Sequence, residues 1–136
     1  MKFAHQTKLT AFSYENESSA DIENSLRKFF PFNLEENKIA IKKTIAKGFN
    51  EKSIEIFEIM LTKNNLINRF LGSIMARLSK NQRELIASQS DSRLDQNLDF
   101  FIRFDKEMWI NNEALALTDS GKCFHLRISV AAFPKK

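Results

Sequence analysis

Between Leu98 and Phe104 apolar side chains fall on every second residue. Leu98, Phe100, Ile102 and Phe104 share one parity, and Asp99, Phe101, Arg103 and Asp105 take the other. The pattern returns at Phe124, Leu126, Ile128 and Val130, set against Cys123, His125, Arg127 and Ser129. Successive side chains of a strand point to opposite faces, so this alternation predicts an antiparallel sheet with one face on a core and the other open to solvent. The open parity carries arginines, a histidine and an aromatic ring.

The rest of the chain supplies further strands and the helices to cover them. Lys2–Tyr14 alternates Thr7, Leu9 and Ala11 against Lys8, Thr10 and Phe12; Ile39, Ile41 and Ile45 alternate with Ala40, Lys42 and Thr44 before a turn at Gly48-Phe49-Asn50. Ser53–Leu61 is apolar on both parities, yet short, rich in isoleucine and bounded by turn residues. It reads as a strand that is either central or meets a partner. Two main helices are expected, Ser19–Phe30 and Asn64–Ser79. The first opens on a capping-box pattern at Ser18–Asp21 and is ended by Pro31; the second carries Leu66, Ile67, Phe70, Leu71, Ile74 and Leu78 on one side. A second capping box, Ser79–Gln82, opens a short helix through Leu85 and Ile86, and Ser88–Asn97 is a polar connector. The closing strands are Leu98–Phe104, Glu113–Thr118 and Cys123–Phe133, the last two joined by a hairpin turn at Asp119-Ser120-Gly121-Lys122. The expected order is β-α-β-β-α-α-β-β-β, an α+β fold with helices on one face of an antiparallel sheet, as a single domain over residues 1–136. Phe29, Phe30, Phe70, Leu71, Ile74, Phe100, Ile102, Phe104, Leu126 and Ile128 should form the core.

Composition narrows the functional classes. The chain is 43% hydrophobic and 28% charged, which is globular rather than disordered. No apolar run is long enough to span a bilayer, and the first residues lack an apolar signal region, so a cytoplasmic protein without membrane partners is expected. A net charge of +4 permits a polyanionic partner without demanding one. Three glycines, far apart, make no phosphate loop or dinucleotide fingerprint, and no nucleophile elbow is present; no cofactor is expected. Cys123 is the single cysteine. With His125 it has the i, i+2 spacing of two metal ligands on one strand face, though such a pair is more often packing and surface.

Phe101-Ile102-Arg103-Phe104-Asp105-Lys106, followed by Leu115-Ala116-Leu117-Thr118-Asp119 and Leu126-Arg127-Ile128, resembles an archaeal RNA-binding family described as a predicted exosome-associated subunit. Gly48-Phe49-Asn50 leading into a strand and the acidic stretch Glu15–Asp21 fit the same pattern, which covers nearly the whole chain. The resemblance implies a fold similar to the large-subunit ribosomal protein that holds 5S RNA. It implies a non-catalytic RNA-binding role, accessory to an RNA-processing assembly. RNA binding calls for cations against phosphates and flat groups against unstacked bases. The candidates are Lys42, Arg103, Arg127 and His125 on the open parity, Phe101 as a stacking ring, and Lys106 at the strand end.

Each candidate has a plainer role beside it. The cations could be ordinary solvated surface, and Phe101 a cover for a sheet edge. Asp105 could accept backbone N–H bonds at a chain turn, and Arg103 could pair with Asp99 or Glu55. A metal-dependent nuclease would draw on Asp99, Asp105 and Glu107. An interaction or homodimerisation module would use Ser53–Leu61, or Trp109-Ile110 if exposed. Were the RNA site elsewhere, Lys63, Arg69 and Arg77 along the long helix would be its place.

Overall fold

A computed structural model describes residues 4–47 and 52–131. The expected turn at Gly48-Phe49-Asn50 and the ends of the first and last expected strands lie outside the described residues. The elements are β1 (Ala4–Ser13), α1 (Ser19–Arg27), β2 (Ile41–Lys47), β3 (Ser53–Leu61), α2 (Asn64–Arg77), α3 (Lys80–Ser88), α4 (Ser90–Arg93), β4 (Asp99–Asp105), α5 (Lys106–Asn112) and β5 (Cys123–Val130). The five strands form one sheet in the order β2-β3-β1-β5-β4, and every neighbouring pair is antiparallel. This is the expected α+β class. β3, apolar on both faces, takes an interior position between β2 and β1.

The period-two pattern sorts the faces as read. Leu9, Ala11, Phe57, Ile59, Leu61, Ile102, Phe104, Phe124 and Leu126 are buried beneath the helices. Of the expected core, Leu71, Phe100 and Ile128 are half-buried at its margin. Aromatic rings hold the centre together: Phe30 and Phe70 stack with centroids 4.5 Å apart, and Phe29 lies between Phe104, Phe124 and Trp109. Caps set the helix starts. The Ser18 hydroxyl accepts from the Asp21 N–H, and Ser79 and Gln82 form the full reciprocal box.

A bulge in β1 places the chain on two registers. Ala4 opposes Val130 and Gln6 opposes Ser129, so Ala4 and Thr7 both face the core while Gln6 turns to the open side.

Two expectations require correction, and one conditional reading is resolved. Leu98 does not belong to the core face: its backbone is left-handed (φ 64°), its side chain is exposed, and β4 starts one residue later. Glu113–Thr118 is not a strand, and no hairpin joins it to β5. Glu113 instead caps α5, Leu117 makes a lone bridge to Phe104 on the outer side of β4, and β5 pairs along the inner side. Trp109-Ile110 offers no docking surface through its tryptophan, since Trp109 is fully buried on α5. Its ring stacks on Phe29 at 4.1 Å and its indole N–H donates to the Ser25 carbonyl at 2.7 Å.

Candidate nucleic-acid interface

The face of the sheet away from α1 and α2 is a trough of about 590 Å³ running from β2 to β5. Register explains its membership. Lys42 lies beside Glu58, Lys8 beside Arg127, Thr10 beside His125, Phe101 beside Arg127, and Arg103 beside His125. Five of the six residues singled out in the sequence, Lys42, Phe101, Arg103, His125 and Arg127, thus share one face. Lys106 does not. It opens α5 with only 4% of its surface exposed; its ammonium donates to the Phe12 carbonyl at 2.8 Å and pairs with the Glu17 carboxylate at 3.2 Å. Its charge is spent inside the fold.

Ion pairs hold several cations elsewhere on the surface. Arg27 pairs with Glu35 and Glu23, Lys28 with Glu113, Lys43 with Glu55, and Lys80 with Glu84. On the open face Lys8 meets Glu58 at 3.2 Å, whereas Lys42, Arg103 and Arg127 are in no ion pair among the described residues. Arg127 donates to the neutral Gln6 amide at 2.9 Å, and its Nε is buried with no hydrogen-bond partner. Arg103 reaches the Asp119 carbonyl at 3.4 Å, not the carboxylate of Asp99 or Glu55. Among the described residues, three cations of the open face are thus without a paired carboxylate, the Glu58 beside Lys42 being held by Lys8. The arginines of the long helix are occupied with aromatic rings: Arg69 lies 5.1 Å from the centre of Phe32, and Arg77 lies 5.3 Å from that of Trp109.

Phe101 and His125 form a ring pair with centroids 5.3 Å apart. Burial pushes the His125 pKa down from 6.5, and the positive charges of Arg103, Lys8 and Arg127 push it the same way. The folded chain therefore takes up the His125 proton at lower pH than the unfolded chain does. Its contribution to stability is complete above the unfolded value and is lost as pH falls from there toward the folded value. Urea midpoints of wild type and His125→Gln, compared over roughly pH 7.5 to 5.5, should show the wild type losing more stability on acidification. Parallel curves would mean that His125 titrates normally.

The other sequence-derived chemistry finds no such setting. Burial raises the Cys123 pKa, which keeps the thiol protonated and a poor metal ligand or nucleophile. Asp105 caps α5 by accepting the Met108 N–H at 2.9 Å, the plainer role foreseen for it, and Asp99 accepts from the Ser129 hydroxyl at 2.8 Å. Six residues apart on one strand, these two carboxylates stand about 20 Å from each other, too far to share a metal. Among the described residues no group of three His, Cys, Asp or Glu side chains is placed to hold a metal ion, and no helix is long and apolar enough to cross a membrane.

Sequence reasoning missed Arg93. It sits on α4 at the outer edge of β4, where Nη1 donates to the Phe101 carbonyl at 3.2 Å, and Nε and Nη2 hold the Gln89 amide oxygen at 3.1 and 2.7 Å. With Gln89, Ser92, Arg103 and Thr118 it lines a second cavity of about 380 Å³ that also meets Phe101 and His125. The available signal was the Gln89/Arg93 pair at i, i+4 within the polar connector.

An α+β sheet with one covered face and one basic, aromatic-bearing open face is the build of a nucleic-acid-binding domain. The chain belongs to a family described as RNA binding, whose model matches residues 6–130. It is 24% identical over 133 residues to the RNA-binding protein PAB1135 of Pyrococcus abyssi, a match that covers 98% of this chain and 86% of that protein. Its fold is shared by protein AF2318 of Archaeoglobus fulgidus, with a TM-score of 0.85 and 24% identity over 98% of this chain and 91% of that one. Protein SSO0741 of Sulfolobus solfataricus is also similar, with a TM-score of 0.78 and 25% identity over 91% and 86% of the two chains. Both of these structures are described as DUF54 proteins.

Proposed function

We propose that this chain is a non-catalytic RNA-binding protein that holds RNA on the open sheet face. The observation that carries the reading is the set Lys42, Arg103 and Arg127, without acidic partners among the described residues, around the Phe101–His125 ring pair. Unneutralised cations release the counterions of a polyanion on contact, and exposed rings take stacked bases. The RNA-binding name of the Pyrococcus abyssi relative supports the same partner. The role follows from what the face offers: cations for grip and rings for orientation. Such a protein acts as an accessory component of an RNA-processing, exosome-like assembly. The expected likeness to the ribosomal protein that holds 5S RNA carries the same implication of a scaffold for RNA.

An interaction or homodimerisation module is the competing reading. Its best surface is the sheet edge at β2, where Ile45 is 65% exposed. That strand also carries Lys42, Lys43 and Lys47, and lysines along an edge oppose strand-to-strand pairing.

Affinity for RNA measured across a salt series tests the proposal. With about three to five phosphate contacts to a single strand, log affinity should fall linearly with log salt at a slope of about −2 to −3.5. The double variant Lys42→Ala, Arg127→Ala should bind all sequences more weakly, with the slope reduced by about one unit or slightly more. Wild-type binding by that variant would move the RNA to Lys63, Arg69 and Arg77.

A further inference from the structure

The two cavities of the open face are not separate. Phe101 and His125 line both, so the ring pair is a ridge between the trough and the smaller cavity at the edge of β4. Their linings differ in chemistry. The trough is lined by apolar Phe12 and Ile56 together with Lys8, Lys42, Glu58 and Arg127. On the other side the ridge faces Arg93 and Arg103, whose hydrogen bonds go only to neutral acceptors and leave further N–H groups to donate. The exposed carboxylate of Asp119 lies at that rim, and two guanidiniums against one carboxylate leave the cavity positive.

We infer that this face takes single-stranded RNA as a step across the ridge: an unpaired base lies on the trough side against the Phe101 ring, and an adjoining phosphate lies between Arg93 and Arg103. The inference rests on the RNA-binding reading and adds to it the strandedness of the ligand and a phosphate subsite. Both volumes fall near or within the roughly 300–1,000 Å³ of small-ligand sites, which suits a nucleotide and not a helix. In an A-form duplex the bases are stacked inward and the surface presents backbone and a shallow minor groove. The Phe101 and His125 rings are half-buried between two cavities and cannot reach such bases, whereas an unpaired base can settle against them. Arg93 needs no reorganisation to receive the phosphate, because Gln89 and the Phe101 carbonyl already fix its guanidinium beside the ring it serves. The same carbonyl bond ties the phosphate subsite to the base subsite through one residue.

Three ligands separate the possibilities at one salt concentration: an unstructured RNA of about 12 nucleotides, inside the usual range for single-strand sites, the same strand annealed to its complement, and the same strand with its internal bases replaced by abasic sites. Wild-type protein should bind the single strand more tightly than the duplex, and removing the bases should cost about 5- to 150-fold in affinity. Phe101→Leu, which keeps apolar bulk, should lose a comparable factor for the intact strand, lose little for the abasic one, and retain the wild-type salt slope. Duplex bound as tightly as single strand, or abasic RNA bound as tightly as intact RNA, would overturn the inference and leave the RNA-binding reading standing. Failure to bind any of the three would overturn both. The abasic comparison uses wild-type protein, so it decides the matter even if Phe101→Leu folds poorly.

Discussion

Replacing Trp109 by alanine should destabilise the protein by about 3–5 kcal/mol, the range for truncating a large buried aromatic. The indole is fully buried on α5. Phe29 would lose its stacking partner at 4.1 Å, and the Ser25 carbonyl would lose the N–H that reaches it at 2.7 Å. An unsatisfied buried carbonyl adds to the cost of the cavity. Trp109→Phe should recover much of the packing but not the hydrogen bond. Circular dichroism in urea is the suitable measurement, because Trp109 is the chain's single tryptophan and the substitution removes the fluorescence signal. A loss below about 0.5 kcal/mol, the scale of an ordinary surface change, would show that α5 is not anchored through this ring.

Lys106→Ala should separate stability from RNA binding. It removes the donor to the Phe12 carbonyl, strands the Glu17 carboxylate and takes the ammonium from the Tyr14 ring 5.2 Å away. Breaking a fully buried pair costs about 3–5 kcal/mol. The Glu17 side chain is 26% exposed, so water recovers part of that, and about 2–3 kcal/mol is expected. Lys106→Met, which keeps the stem, should lose less. Below the unfolding transition, either variant should bind RNA as wild type does, since the ammonium never reaches the open face. Unchanged stability with weakened RNA affinity would return Lys106 to the list of RNA contacts.

The burial of Lys106 shows where sequence reasoning stops. Period-two alternation identified β4 and β5 and assigned Phe101, Arg103, His125 and Arg127 to one face, because parity is a local property of a strand. The capping boxes at Ser18 and Ser79 announced two helix starts for the same reason. The partner of Lys106 is Glu17, 89 residues away in the turn between β1 and α1, and only the tertiary fold brings them together. The α5 helix itself had a signal, Asp105 as N-cap with Glu107 in the first turn, but seven residues in a region expected to be turn and strand gave too little periodicity to read. Leu115 and Leu117 alternate as a strand would, yet the turn at Glu113 leaves that segment outside β4 with a single bridge. Arg93 was hidden because its polar surroundings have no apolar stripe; its place beside Phe101 depends on the connector folding back along β4.

Ultraviolet crosslinking of the full chain to a single-stranded RNA, with the adducts mapped by peptide mass spectrometry, tests most directly whether RNA lies on the open sheet face. Binding there predicts adducts on the peptides of β4 and β5, centred on Phe101 and His125, with a further adduct near Arg93. Adducts confined to α2, around Arg69 and Arg77, with β4 and β5 unmodified, would contradict it.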